Sequence, residues 1–139
     1  MNCYTYDDIK IGQEESFAVK ITDDMMSHFY DITGDCNPLH SKNENNEKLN
    51  DNPNAVVFGM LTASFLSTLA GVYLPGKYSL IQKVDVDFLI PVYSGEVITF
   101  YGEVINKNDP FKVIEIKVTA INSANKKVLR GKMRAGVRQ

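Results

Sequence analysis

Apolar and polar residues alternate with period two through most of the last third of the chain. Val84, Val86, Phe88 and Ile90 are interleaved with Asp85, Asp87 and Leu89, and Ile98, Phe100 and Val104 with Thr99, Tyr101 and Glu103. The rhythm returns in Ile114, Ile116, Val118 and Ala120 against Glu115, Lys117 and Thr119. It returns again in Leu129, Met133, Ala135 and Val137 against Arg130, Lys132 and Arg134. Period two sends successive side chains to opposite faces, so these runs predict half-buried strands of an antiparallel sheet with one covered face. Turns at NKNDP and NSANK join them.

The first half reads differently. A strand is expected from Glu15 to Ile21, then Thr22 as an N-cap with Asp23 and Asp24 in the first helical turn, where carboxylates suit the helix dipole. Met25, Met26, Phe29, Tyr30 and Ile32 recur at helical spacing, and Thr33-Gly34 ends that amphipathic helix. Residues 41–54 are strongly polar and read as a surface loop with a single helical turn. GMLTASFLSTLAGVYLPG is apolar nearly all round, which predicts a helix buried on most sides and stopped by Pro75-Gly76. The fold class is therefore α+β, a curved antiparallel sheet wrapped around a long central helix. No repeat or linker interrupts it, and residues 1–139 are expected to form a single domain.

Composition narrows the function. With 44% hydrophobic and 23% charged residues the chain is an ordinary globular one, and a net charge of −2 without a basic block disfavours nucleic-acid and membrane-surface partners. The two cysteines, Cys3 and Cys36, make neither a disulfide framework nor a zinc pattern. MNCYTYDDIK carries acids where a signal peptide needs a basic start, so a cytoplasmic protein is expected.

The candidate chemistry lies in TGDCNPLH, residues 33–40. An aspartate and a histidine five positions apart, stiffened by Gly34 and Pro38, can share one water: the carboxylate takes a proton and the imidazole gives or relays another. A free carboxyl titrates near pH 4 (about 3.9), so Asp35 needs partial burial to serve as a base. On residue types alone an Asx turn with a structural histidine fits as well. A calcium loop does not, because Leu39 breaks the oxygen series. Cys36 is a poor nucleophile beside a carboxylate, which makes a thiol less acidic.

YDITGDCNPLH, residues 30–40, resembles the signature of the MaoC-like and (R)-specific enoyl-CoA hydratase family, matching at Tyr30, Ile32, Thr33, Gly34, Asp35, Asn37, Pro38, Leu39 and His40. FGMLTAS, residues 58–64, resembles that family's second motif at the start of the central helix. The resemblance implies a hot-dog fold, pairing of two copies into a homodimer, and reversible hydration of trans-2-enoyl thioesters to (R)-3-hydroxyacyl thioesters. It implies no cofactor beyond the coenzyme A or acyl-carrier-protein thioester that carries the substrate. Asp35 and His40 would be the catalytic pair, and the Gly59 N–H at the helix N-terminus would hold the thioester oxygen. Asn37, Phe58, Met60 and Ser67 would shape or line the substrate pocket. The chain departs from the pattern at Asn46, where a small residue is usual, and at Phe58, where relatives often have histidine. Hot-dog thioesterases and carrier-protein dehydratases commonly use a carboxylate on the central helix, and Val56 to Gly76 contains no Asp or Glu. A non-catalytic acyl-thioester-binding module or partner subunit is the alternative. Arg130, Lys132, Arg134 and Arg138 share a strand face that could meet coenzyme A phosphates or simply face solvent.

Overall fold

The computed structural model describes residues 1–42 and 54–138. The strands β1 (Glu14–Lys20), β2 (Ser79–Phe88), β3 (Val97–Asn108), β4 (Val113–Ile121) and β5 (Lys127–Val137) form one five-stranded sheet in the order β1-β3-β4-β5-β2. Every neighbouring pair is antiparallel. Two helices, α1 (Asp23–Thr33) and α2 (Gly59–Thr68), complete the α+β architecture, and α2 runs on into a π-helical turn, Leu69–Tyr73. The alternation read from the sequence places the core well. Ile98, Phe100, Val104, Ile114, Ile116, Val118, Ala120, Leu129, Met133 and Ala135 are all buried.

The helical segment packs on that face through Leu61, Leu66, Leu69 and Ala70. Phe17 of β1 stacks on Phe100 of β3 and on Tyr73 of the π-turn, while Phe65 of α2 tilts against Phe100 with centroids 5.5 Å apart. Gly102 makes room for Leu69: a Cβ there would stand 3.1 Å from the leucine side chain. Strand periodicity on one layer and helical periodicity on the other thus meet in one core.

Two expectations need correction. The apolar positions of β2 were expected to be half-buried, yet Val84 is 43% and Phe88 50% exposed. They do point to the covered face, opposite Met133 and Leu129 of β5, but β2 is an edge strand that the helical segment covers only in part, with the Phe88 ring lying against Gly59 at the start of α2. The segment from α2 through the π-turn is covered on most sides as expected, and Met60, Ser64 and Ser67, spaced four and three residues apart, form its exposed stripe. In α1, Met26 is buried and Met25 and Phe29 pack beside it, whereas Tyr30 and Ile32 are exposed because contact with the core ends at Phe29. The polar stretch 43–53, with Asn46, lies outside the described residues.

The outer sheet face carries charge. Arg130 and Lys132 stand 4.0 Å from Asp87 and Glu115 respectively, all well exposed except the partly buried Glu115, so each pair contributes at most about 1 kcal/mol. This basic face looks away from the helices. Among the described residues no helix is long and apolar enough to cross a membrane.

The N-terminal segment is clasped to the β3–β4 connection by Tyr6, which is 2% exposed. Its hydroxyl donates to Asp109 Oδ1 at 2.7 Å, and the ammonium groups of Lys107 and Lys112 lie over its ring. Burial, and then the Asp109 carboxylate, push the phenol up to about 12. A raised pKa means that the folded state favours the protonated form. The clasp therefore stabilises fully below the ordinary tyrosine value and is lost as pH rises toward 12. Near-ultraviolet titration should reveal one tyrosine ionising well above the ordinary tyrosine value, and Tyr6→Phe should remove that phase and flatten the alkaline loss of stability. A titration unchanged by Tyr6→Phe would contradict the clasp.

Candidate active site

The loop after α1 is built by a succession of short side-chain caps. Gly34 terminates the helix in the left-handed region, φ +69°, with its N–H donating to the Tyr30 carbonyl at 2.7 Å. A side chain is strained in that conformation, which glycine adopts freely. The Asp35 N–H donates to Thr33 Oγ1 at 3.2 Å, and the Asn37 N–H donates to Asp35 Oδ1 at 3.1 Å. Asn37 Oδ1 in turn accepts from the Leu39 N–H at 3.0 Å and caps the single 3-10 turn Pro38–His40. Proline at the first position of that turn forfeits no hydrogen bond. The consequence is a carboxylate with one oxygen tied to the loop and the other turned toward His40.

His40 is held from its far side. Its Nδ1 lies 2.8 Å from the Val56 carbonyl oxygen, which can only accept, so the proton resides on Nδ1. In the neutral ring Nε2 is then an acceptor, and it faces Asp35 Oδ2 at 3.8 Å. That is too long for a direct hydrogen bond, and both groups are acceptors. A water within reach of each could donate one hydrogen to each. The imidazole is 14% exposed and packs on the Phe58 ring at 4.1 Å. Asp35 is 47% exposed, so the partial burial expected of it is absent in the single chain, where its loop forms the rim of a cleft.

Two clefts meet at His40. The larger, about 630 Å³, is lined mostly by polar residues and includes Asp23, Asp31, Asp35, Asn37, Lys42 and Phe58. Lys42 Nζ donates to Asp23 Oδ2 at 2.7 Å and holds that carboxyl below the usual carboxylate range. The smaller, about 340 Å³, is apolar and includes Val56, Gly59, Thr62, Phe88, Ile90 and Val128. Gly59 opens α2, and the N–H of a first helical residue has no intrahelical acceptor. The structure therefore brings Asp35, Asn37, His40 and Phe58 together on the polar side, with Gly59 across the imidazole. Met60 and Ser67 lie elsewhere, on the exposed stripe of α2.

Two contributors were not singled out from the sequence. The Val56 carbonyl is backbone and carries no residue-type signal. Thr62 sits in an apolar helix where a threonine excites no attention, although a polar side chain three residues beyond the helix glycine is the signal that could have found it.

A model of the MaoC-like domain family matches residues 8–126. The chain is 29% identical over 126 residues to an (R)-specific enoyl-CoA hydratase of Rhodospirillum rubrum, covering 91% of this chain and 86% of that protein. It is 27% identical over 99 residues to a 3-hydroxybutyryl-CoA dehydratase of Methylorubrum extorquens, covering 71% and 62%. Among solved structures, an unliganded R-hydratase of Pseudomonas aeruginosa superposes with a TM-score of 0.89 over 97% of this chain and 86% of that one. At 22% identity that likeness speaks for the fold alone.

Phe58 is 4% exposed and packs on both His40 and Phe29. Phe58→Ala should cost about 3–5 kcal/mol in denaturant unfolding, whereas Met60→Ala should stay within about 0.5 kcal/mol. Equal losses for the two would mean that the aromatic stack does not support the histidine.

Proposed function

Because this chain belongs to the MaoC-like domain family, we propose that it is a hydro-lyase that adds water reversibly to trans-2-enoyl thioesters, giving (R)-3-hydroxyacyl thioesters. Hydratases and dehydratases are hydro-lyases, and the relatives' names are of that class. The observation that carries the reading is the pair of acceptors, Asp35 Oδ2 and His40 Nε2, 3.8 Å apart at the meeting of a polar and an apolar cleft. No cofactor is required, since a positioned water and a polarised thioester suffice.

In hydration, Asp35 takes a proton from the shared water as the water oxygen bonds to C3. The C2=C3 pair moves toward the thioester carbonyl, whose oxygen gathers charge beside the Gly59 N–H and the positive end of α2. Collapse of that enolate collects a proton at C2 from the Asp35–His40 pair. Dehydration is the reverse. Asn37 keeps the Asp35 loop in shape through the caps on either side of it. Substrates carried on coenzyme A are the first choice, as the relatives are named for coenzyme A thioesters.

The protein is further proposed to act as a homodimer joined along β2. That strand leaves one edge unpaired, with Leu80, Val84 and Phe88 each at least 41% exposed. An uncovered apolar edge invites pairing with another strand.

The test of the activity is loss of enoyl-thioester absorbance with crotonyl-CoA and longer homologues. Asp35→Asn and His40→Ala should each lower turnover about 10²–10⁴-fold while the fold is retained. A well-folded protein without turnover on any chain length would favour the binding-only alternative. Sedimentation should report twice the chain mass, moving toward the monomer in Val84→Glu. A monomeric wild type would sink the edge-pairing proposal.

A further inference from the structure

The apolar cleft contains a polar group that the reaction as described leaves unused. Thr62 is 3% exposed, and among the described residues its hydroxyl makes no hydrogen bond, although its oxygen is not fully enclosed as those of Ser79 and Ser94 are. Threonines inside helices commonly return their hydroxyl to the carbonyl four residues back. Thr33 does so, donating to Phe29 at 2.9 Å, whereas Thr62 donates to the Phe58 carbonyl through its backbone N–H alone. Thr62 lines the smaller cleft, where, among the described residues, it and His40 supply the only polar side chains. It follows Gly59 by three residues, so the two share a helix face, and a helical side chain leans toward the N-terminus, here toward the Gly59 N–H. Helical geometry, burial and the missing partner lead to one place.

We propose that the Thr62 hydroxyl is a second hydrogen-bond donor to the thioester oxygen, acting beside the Gly59 N–H. The proposal rests on the hydration reading above and adds to it a residue that touches the substrate. As water bonds to C3 and the π pair moves to the carbonyl, the oxygen gains charge and both donor contacts strengthen. The hydroxyl proton stays on Thr62, so the atom balance of hydration is unchanged. A contact that strengthens chiefly in the transition state acts on kcat rather than on KM.

Thr62→Val removes the hydroxyl and keeps the branched shape; Thr62→Ser keeps the hydroxyl and removes the methyl. In the enoyl-CoA assay Thr62→Val should lose about 10²-fold in kcat with KM within about twofold, and Thr62→Ser should stay within about threefold of wild type. Thr62→Ala compared with Thr62→Ser repeats the comparison without the methyl, should the valine variant not fold. A role in packing alone predicts the opposite order, serine worse than valine, and that order would overturn the proposal. An active wild type with an equally active Thr62→Val would overturn it while leaving the hydration reading intact. A wild type inactive on every enoyl-CoA would overturn both.

Discussion

The carbonyl of Val56 is the acceptor on which the proposed site depends. It takes the His40 Nδ1 proton, while the N–H of the same residue donates to the Leu39 carbonyl at 3.2 Å. On either side the segment is sewn to the connection before β3, with the Val57 N–H donating to Val92 at 2.7 Å and the Ser94 N–H to Ala55 at 3.0 Å. Three residues after Val56, α2 begins. One short run of backbone thus fixes the tautomer and direction of the imidazole, the placement of the helix N-terminus and the anchorage of both to the sheet. Each such bond is worth only about 0.5–1.5 kcal/mol net. Their value lies in geometry, since a catalytic group displaced by an ångström loses far more.

The two helices dispose of their N-termini in opposite ways. The start of α1 is saturated: Thr22 Oγ1 accepts from the Met25 N–H, and Asp23 and Asp24 occupy the first turn. The start of α2 has Phe58 at the capping position, no side-chain cap and no acidic residue in its first turn. A capping serine or aspartate would stabilise a helix by about 1 kcal/mol. Phe58 forgoes that gain, supports His40 and leaves the dipole end unneutralised next to the apolar cleft. Low local polarity there strengthens any hydrogen bond made to a developing oxyanion.

The inward positions of β3, β4 and β5 could be read from alternation because both helix and sheet bury the same face throughout their length. Asp35 and His40 were singled out by the resemblance of TGDCNPLH to the family signature, since on residue types alone an Asx turn with a structural histidine fits as well. Legibility failed where burial depends on position in the sheet rather than on the residue. Val84 and Phe88 alternate like core residues, and only strand order reveals that they lie on an edge. The roles of Phe58 and Val56 escaped for a related reason, since a ring stacked on an imidazole and a backbone acceptor leave no distinctive residue pattern.

The edge strand and the site are physically one problem. Phe88, Leu89 and Ile90 are each between 36% and 50% exposed, and they are also walls of the cleft that contains Gly59 and Thr62. Exposed apolar surface of that kind is unfavourable in water by about 25 cal/mol for each Å² left uncovered. Covering it would exclude water from the place proposed above for the thioester oxygen. It would also raise the wall of a cleft that the single chain leaves open. With β2 bare, the Asp35–His40 geometry would be unchanged, but a charge developing in the proposed oxygen site would sit in a wetter, more strongly screened environment. The proposed association along β2 and the proposed stabilisation of charge at the N-terminus of α2 would therefore be coupled through Phe88, Leu89 and Ile90.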